Sequence, residues 1–162
     1  MSKKKLSASL LKHPIHFLAL GFGSGLAAKA PGTFGTLMAI PLYLLIQPLS
    51  VINYFIVVLI ISLAGIYICD RSAAMMGEHD HPGIVWDEFA GYFITMLAVP
   101  FEWFWVLLGF ALFRLFDILK PQPIGWLDQH VKGGFGIMLD DVVAGIMAGL
   151  CLHLIIWLAQ FI

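Results

Sequence analysis

Apolar residues run along this chain in blocks separated by short polar segments. Leu49 to Ile68 is the clearest, with twenty residues and no charge, the length an α-helix needs to cross a hydrocarbon core of about 30 Å. Thr33 to Gln47 opens after Pro31-Gly32 and closes at Pro48, and is short enough to require a tilted helix or a thin bilayer. Trp86 to Pro100 begins on Asp87 and Glu88, and Trp103 to Leu119 carries Arg114 and Asp117 near its end. The last block, Asp141 to Ile162, starts on an acidic pair and contains Gly145 and Gly149 in a small-xxx-small spacing that lets helices approach closely. Before the first block, Leu10 to Ala28 is broken by Lys12, His13, Pro14 and several glycines. It fits a short interfacial or re-entrant helix better than the continuous apolar core of a cleaved leader, so residues 1–162 are read as one mature integral membrane domain. The expected fold class is all-α: a polytopic membrane helix bundle of about five transmembrane helices.

Composition agrees, with 60% apolar and 12% charged residues and a mean hydropathy of +0.93; a soluble domain has about half and a quarter. A net charge of −1, with no basic run beyond Lys3-Lys4-Lys5, gives no electrostatic footprint for nucleic acid. Cys69 and Cys151 lie in apolar stretches without metal-ligand spacing and read as small hydrophobes. Placing the N-terminus in the cytoplasm puts Lys3, Lys4, Lys5, Lys12, Lys29, Arg71, Lys120 and Lys132 on that side, and none in the opposite turns at 47–50 and 100–102. That is the bias expected of cytoplasmic loops.

The same orientation sends every acid except Glu102 to the cytoplasmic side. Asp70, Glu78, Asp80 and Asp128 fall in loops, where they either anchor helix ends or join a site. Asp87-Glu88 and Asp140-Asp141 each open an apolar block, with Gly91 and Gly145 about a turn further on. First-turn acids favour the helix dipole, but two adjacent pairs at two membrane entrances exceed that need. A set of oxygen ligands with no Cys or His cluster suits a hard cation, and points to Mg²⁺ held by Asp87, Glu88, Asp140 and Asp141. Arg114 and Asp117 are spaced to share a helix face and Lys120 follows on it; Asp117 can fully neutralise only one cation, which leaves the other for an anion. Pro31 and Thr33 mark a helix start whose free N–H groups suit phosphate. His79-Asp80-His81 has a spacing suited to a strand and reads as a solvated loop.

Four segments, Lys29-Ala-Pro-Gly-Thr-Phe-Gly-Thr36, Ile84-Val-Trp-Asp-Glu-Phe-Ala-Gly91, Phe113-Arg-Leu-Phe-Asp-Ile-Leu-Lys-Pro-Gln-Pro-Ile124 and Gly136-Ile-Met-Leu-Asp-Asp-Val-Val-Ala-Gly145, together resemble the motifs of the phosphatidylglycerophosphatase A family. They stand in the family's order and the resemblance spans about Leu20 to Gly149. It implies a Mg²⁺-dependent enzyme of the bacterial inner membrane whose partner is its phospholipid substrate, converting phosphatidylglycerol phosphate to phosphatidylglycerol and inorganic phosphate. The family's polar motif positions fall on Lys29, Thr33, Thr36, Asp87, Glu88, Arg114, Asp117, Lys120, Asp140 and Asp141. The expected division is catalysis by Asp87, Glu88, Asp117, Asp140 and Asp141, and substrate binding by Lys29, Thr33, Thr36, Arg114 and Lys120. Sequence signatures for cysteine, haloacid-dehalogenase-type and phosphohistidine phosphatases are missing, which leaves a metal-activated water or a carboxylate nucleophile. The rival from another class, an ion- or proton-coupled transporter using Arg114 and Asp117 as a relay, requires polar residues through the outer half of the membrane, where the sequence has almost none.

Overall fold

The computed structural model describes residues 6–78 and 81–161; the expectation for His79 and Asp80, and Lys3 to Lys5, lie outside them. Among the described residues there are helices and no strands. In chain order they are α1 (Pro14–Ala19), α2 (Pro31–Ile46), α3 (Val51–Met76), α4 (Trp86–Thr95), α5 (Trp103–Leu119), α6 (Ile124–His130) and α7 (Gly133–Ala159), with short 3₁₀ turns at Ala8–Lys12 and Gly21–Leu26.

Two helices, α3 and α7, are long and apolar enough to cross a membrane. At 26 and 27 residues they rise about 40 Å each. Their outward faces stay apolar, with Ile52, Ile60 and Leu63 on α3 and Leu150, Leu154 and Trp157 on α7 all exposed. The 16 residues of α2 and 17 of α5 rise about 25 Å. The expected span from Trp86 to Pro100 is instead a ten-residue helix ending at Thr95, about 15 Å long. After it the chain turns at Ala98, which takes a left-handed conformation at φ 58°. By helix length alone, then, two helices among the described residues are long enough to cross, where five spans were expected.

Short α4 is the centre of the molecule, in contact with α2, α3, α5 and α7. Phe89, Tyr92 and Phe93 of α4 and Met96, which caps it, are fully buried with Tyr43, Phe113, Val106 and Leu152 of its neighbours. Two buried hydroxyls find backbone acceptors: Tyr54 donates to the Phe93 carbonyl at 2.8 Å and Tyr92 to that of Val106 at 3.1 Å. This spares the polar ends of large core rings an unpaired burial.

At the site's end of the bundle, α4 and α7 approach closely through glycines. A Cβ at Gly145 would fall on the Gly91 carbonyl oxygen, and one at Gly91 would fall on the Phe113 ring and lie 2.8 Å from the Asp141 carbonyl oxygen. Residues four apart share a helix face. Asp87 stands four before Gly91 and Asp141 four before Gly145, so the glycine contact that joins the helices also brings these acids level.

Candidate active site

Where the N-terminal parts of α2, α4 and α7 meet the C-terminal end of α5, a cavity of about 260 Å³ opens. Ala30, Pro31 and Gly32 line it from the start of α2, and Asp87 and Glu88 from the first turn of α4. Arg114, Asp117 and Lys120 line it from the end of α5, and Ile137, Asp140 and Asp141 from α7. A roomier cavity of about 350 Å³ beside Val51, Ile94, Leu97, Ile146 and Leu150 has no carboxylate in its wall.

Asp87, Glu88 and Asp141 each present an oxygen within 4.8 Å of the others. Glu88 and Asp141 are buried, and Glu88 Oε2 and Asp141 Oδ2 have no hydrogen-bond partner within the protein. Buried carboxylate oxygens without a protein partner are rare and are ordinarily satisfied by an ion or an ordered water. Three converging carboxylates are hard oxygen donors that fit Mg²⁺, which keeps water and substrate oxygens in its remaining positions. Asp140, the fourth expected ligand, is engaged elsewhere: its Oδ2 accepts from Lys120 Nζ at 2.7 Å, and its Oδ1 is buried without a partner.

Both cations of the cavity are held by acids. Arg114 Nη1 lies 2.8 Å from Asp117 Oδ2 and 3.6 Å from Glu88 Oε1, with its Nε buried and unpartnered. Lys120 Nζ donates at 2.6 Å to Asp128 Oδ1 on α6 as well as to Asp140. Burial alone would pull the Lys120 ammonium down, and these two carboxylates more than reverse it, so the lysine holds its proton above the usual range.

The acids of α7 are not where the sequence placed them along their helix. That helix starts at Gly133, eight positions before Asp141, so Asp140 and Asp141 lie beyond its first turn. Dipole compensation, which acts within the first turn, therefore does not account for them. At α2 the N-cap is Ala30, in a left-handed conformation and without a side-chain cap, rather than a threonine. Thr33 is partly exposed and Lys29 exposed, and neither lines the cavity. The Thr36 hydroxyl is buried and donates to the Gly32 carbonyl at 3.0 Å inside the helix. Seven of the ten expected residues thus converge; Lys29, Thr33 and Thr36 do not.

Two contributors escaped the sequence reading. Gly32 faces the ion pair so closely that a Cβ there would land on Glu88 Oε1 and 3.1 Å from both terminal nitrogens of Arg114. Its place after Pro31 at a helix start was the available signal. Asp128 was assigned no partner, and nothing in its neighbours along the chain names Lys120.

The chain matches the family model described as Phosphatidylglycerophosphatase A over residues 17–156. It is 48% identical over 155 residues to the Phosphatidylglycerophosphatase A of Escherichia coli, covering 94% of this chain and 90% of that protein. With the Haemophilus influenzae protein of the same name it shares 51% identity over 147 residues, 90% of this chain and 88% of the relative. It is also 38% identical over 149 residues to a putative phosphatidylinositol-3-phosphatase of Bacteroides thetaiotaomicron, covering 86% and 92%. No solved structure matches the chain.

Proposed function

The chain belongs to the phosphatidylglycerophosphatase A family, and from that premise we propose that its cavity hydrolyses the terminal phosphate of phosphatidylglycerol phosphate, releasing phosphatidylglycerol and inorganic phosphate. The observation that carries the chemistry is the convergence of Asp87, Glu88 and Asp141 within 4.8 Å, in the same cavity as Arg114.

Mg²⁺ held by those three acids would polarise the phosphoryl oxygens and make a water a better nucleophile. The protein's own groups do the rest. Arg114, fixed by Asp117, offers its planar fork to the phosphate, and the start of α2, at Ala30, Pro31 and Gly32, lines the same space and brings the positive end of a helix dipole to it. Asp140 Oδ1, buried and unpartnered, accepts a hydrogen bond from the attacking water and orients it. Water adds to phosphorus, the bond from phosphorus to the glycerol oxygen breaks, and that oxygen leaves as a hydroxyl once protonated.

The enzyme is a multi-pass protein of the bacterial inner membrane with the cavity opening to the cytoplasm. Lys29, Arg71, Lys120 and Lys132 cluster in the segments at the cavity's end of the bundle, in keeping with the cytoplasmic excess of basic residues. Next to Arg114 and Lys120, α5 exposes Leu115, Ile118 and Leu119. Acyl chains lie along this apolar flank while the headgroup enters the cavity.

The test is phosphate release from short-chain phosphatidylglycerol phosphate by the purified full chain with Mg²⁺, beside Asp87→Asn and Asp141→Asn. Turnover by the native protein and its loss in both variants is expected. No release by a folded native protein overturns the proposal and returns the transporter reading; activity unaffected by both substitutions overturns the site.

A further inference from the structure

We propose that Asp128 is a positioning residue for this hydrolysis: from α6, outside the cavity wall, it holds the Lys120 ammonium in place for a phosphate oxygen. The inference rests on the function proposed above and adds to it a residue and an element, α6, that the three-acid cluster does not involve.

Lys120 lines the cavity and Asp128 does not. Lys120 Nζ is bonded to two carboxylates on different helices, Asp128 on α6 at 2.6 Å and Asp140 on α7 at 2.7 Å. An ammonium has three N–H donors, so one remains after these two bonds. A lysine side chain is long and loses much rotamer freedom when fixed. With Asp140 alone it would have a single tether and, at 30% exposure, an open path to solvent. Asp128 supplies the second tether and fixes the direction of the third donor.

The backbone is built to the same end. Lys120 takes a left-handed conformation at φ 43° as it terminates α5, a strain for a side chain with a Cβ that persists only where the surroundings enforce it. The turn into α6 closes tightly over it, since a Cβ at Gly125 would lie 2.7 Å from the Lys120 carbonyl oxygen. Ile124 is fully buried and docks the start of α6. Asp128, one turn further, is thereby brought back to a lysine eight positions earlier in sequence.

The experiment is a double-mutant cycle on the purified full chain with Asp128→Ala, Lys120→Met and the pair together. It is read as kcat and KM for phosphatidylglycerol phosphate, and as the shift in Tm produced by inorganic phosphate with Mg²⁺. Asp128→Ala should lower kcat/KM about tenfold, as loss of a group that orients a contacting residue commonly does, chiefly through KM. Asp128→Glu should recover most of it. In the Lys120→Met background Asp128→Ala should change nothing further, because it acts through the lysine. A loss by the same factor in both backgrounds, or a native KM in Asp128→Ala, overturns the proposal, since α6 would then matter only as a packed element. If Asp128→Ala does not fold, Asp128→Asn, of equal size, carries the same expectations. A native protein inactive on this lipid defeats the function, while the phosphate-induced Tm shifts of the four proteins still decide whether Asp128 acts through Lys120.

Discussion

Replacing Gly32 with alanine adds one methyl group at the point where α2 faces the Arg114–Glu88 pair. An unshifted Cβ would overlap Glu88 Oε1 and stand 3.1 Å from both terminal nitrogens of Arg114, where ordinary contact begins at 3.4 Å. Arg114 relieves this by a few tenths of an ångström, but the glutamate oxygen must retreat by about 1 Å, and misplacing a catalytic group that far costs about a hundredfold in rate. Glu88 is one of the three clustered acids, so the Mg²⁺ requirement should rise together with the fall in kcat. Stability moves much less. Overpacking costs about 1–3 kcal/mol, and the gain of up to about 1 kcal/mol from alanine over glycine within a helix offsets part of it. The assay is phosphate release across a Mg²⁺ series for the native and Gly32→Ala proteins, with Tm measured on both. A large loss of rate with a small change in Tm is expected. Gly32→Ala within threefold of native at saturating Mg²⁺ would refute the steric argument, as would a loss of activity that merely follows unfolding.

Activity should vanish in excess EDTA and return with added Mg²⁺; full turnover in the chelator sinks the metal assignment. Arg114→Lys should lose most activity in spite of its charge, because an ammonium does not reproduce the bidentate fork. Exchanging the half-buried pair as Arg114→Met with Asp117→Leu should leave a folded protein that releases no phosphate, and near-normal rates in both would make Arg114 purely structural. Reporters fused after Lys29 and after Lys132 should both read as cytoplasmic, and a periplasmic signal at Lys132 would overturn the one-sided site.

The extent of α5 was legible to the residue. Pro100 and Glu102 precede it, Lys120-Pro121 follows it, and the whole apolar run between them is helical. The start of α7 was not, because four residues including Gly133, Gly134 and Gly136 look like a loop by propensity. Tertiary contact overrides that: a Cβ at Gly134 would strike the Ile66 carbonyl oxygen, so the glycines let α7 lie directly against α3. The end of α4 was hidden for a related reason. The apolar run continues to Pro100, but its last residues leave the helix through left-handed Ala98, a turn without a glycine or proline to announce it.

Side-chain roles divided along the same line. Acids four residues from a helix-packing glycine could be read as converging, since spacing along a helix translates into position on its face. Thr36 has the same kind of motif membership, yet it sits on the inner face of α2 and spends its hydroxyl on the backbone. The pairing of Lys120 with Asp128 depends on a turn and a short helix docked by Ile124, and no periodicity encodes that.

The charge balance of the cavity explains why these pieces belong together. Arg114 is engaged by Asp117 and, at a longer distance, Glu88; Lys120 is engaged by Asp128 and Asp140. Neither cation pairs with Asp141. When ionised, two carboxylates about 4.8 Å apart repel by roughly 3 kcal/mol at an effective dielectric of about 20, and Asp87, Glu88 and Asp141 form such a group on helices held together by the contact of Gly91 and Gly145. A phosphate monoester entering with its own negative charge would meet the same repulsion. A divalent cation held by the three acids would reverse both terms at once, turning the most repulsive part of the cavity into a place that attracts the substrate, and would leave the arginine and lysine, each engaged by carboxylates of its own, for the remaining phosphate oxygens.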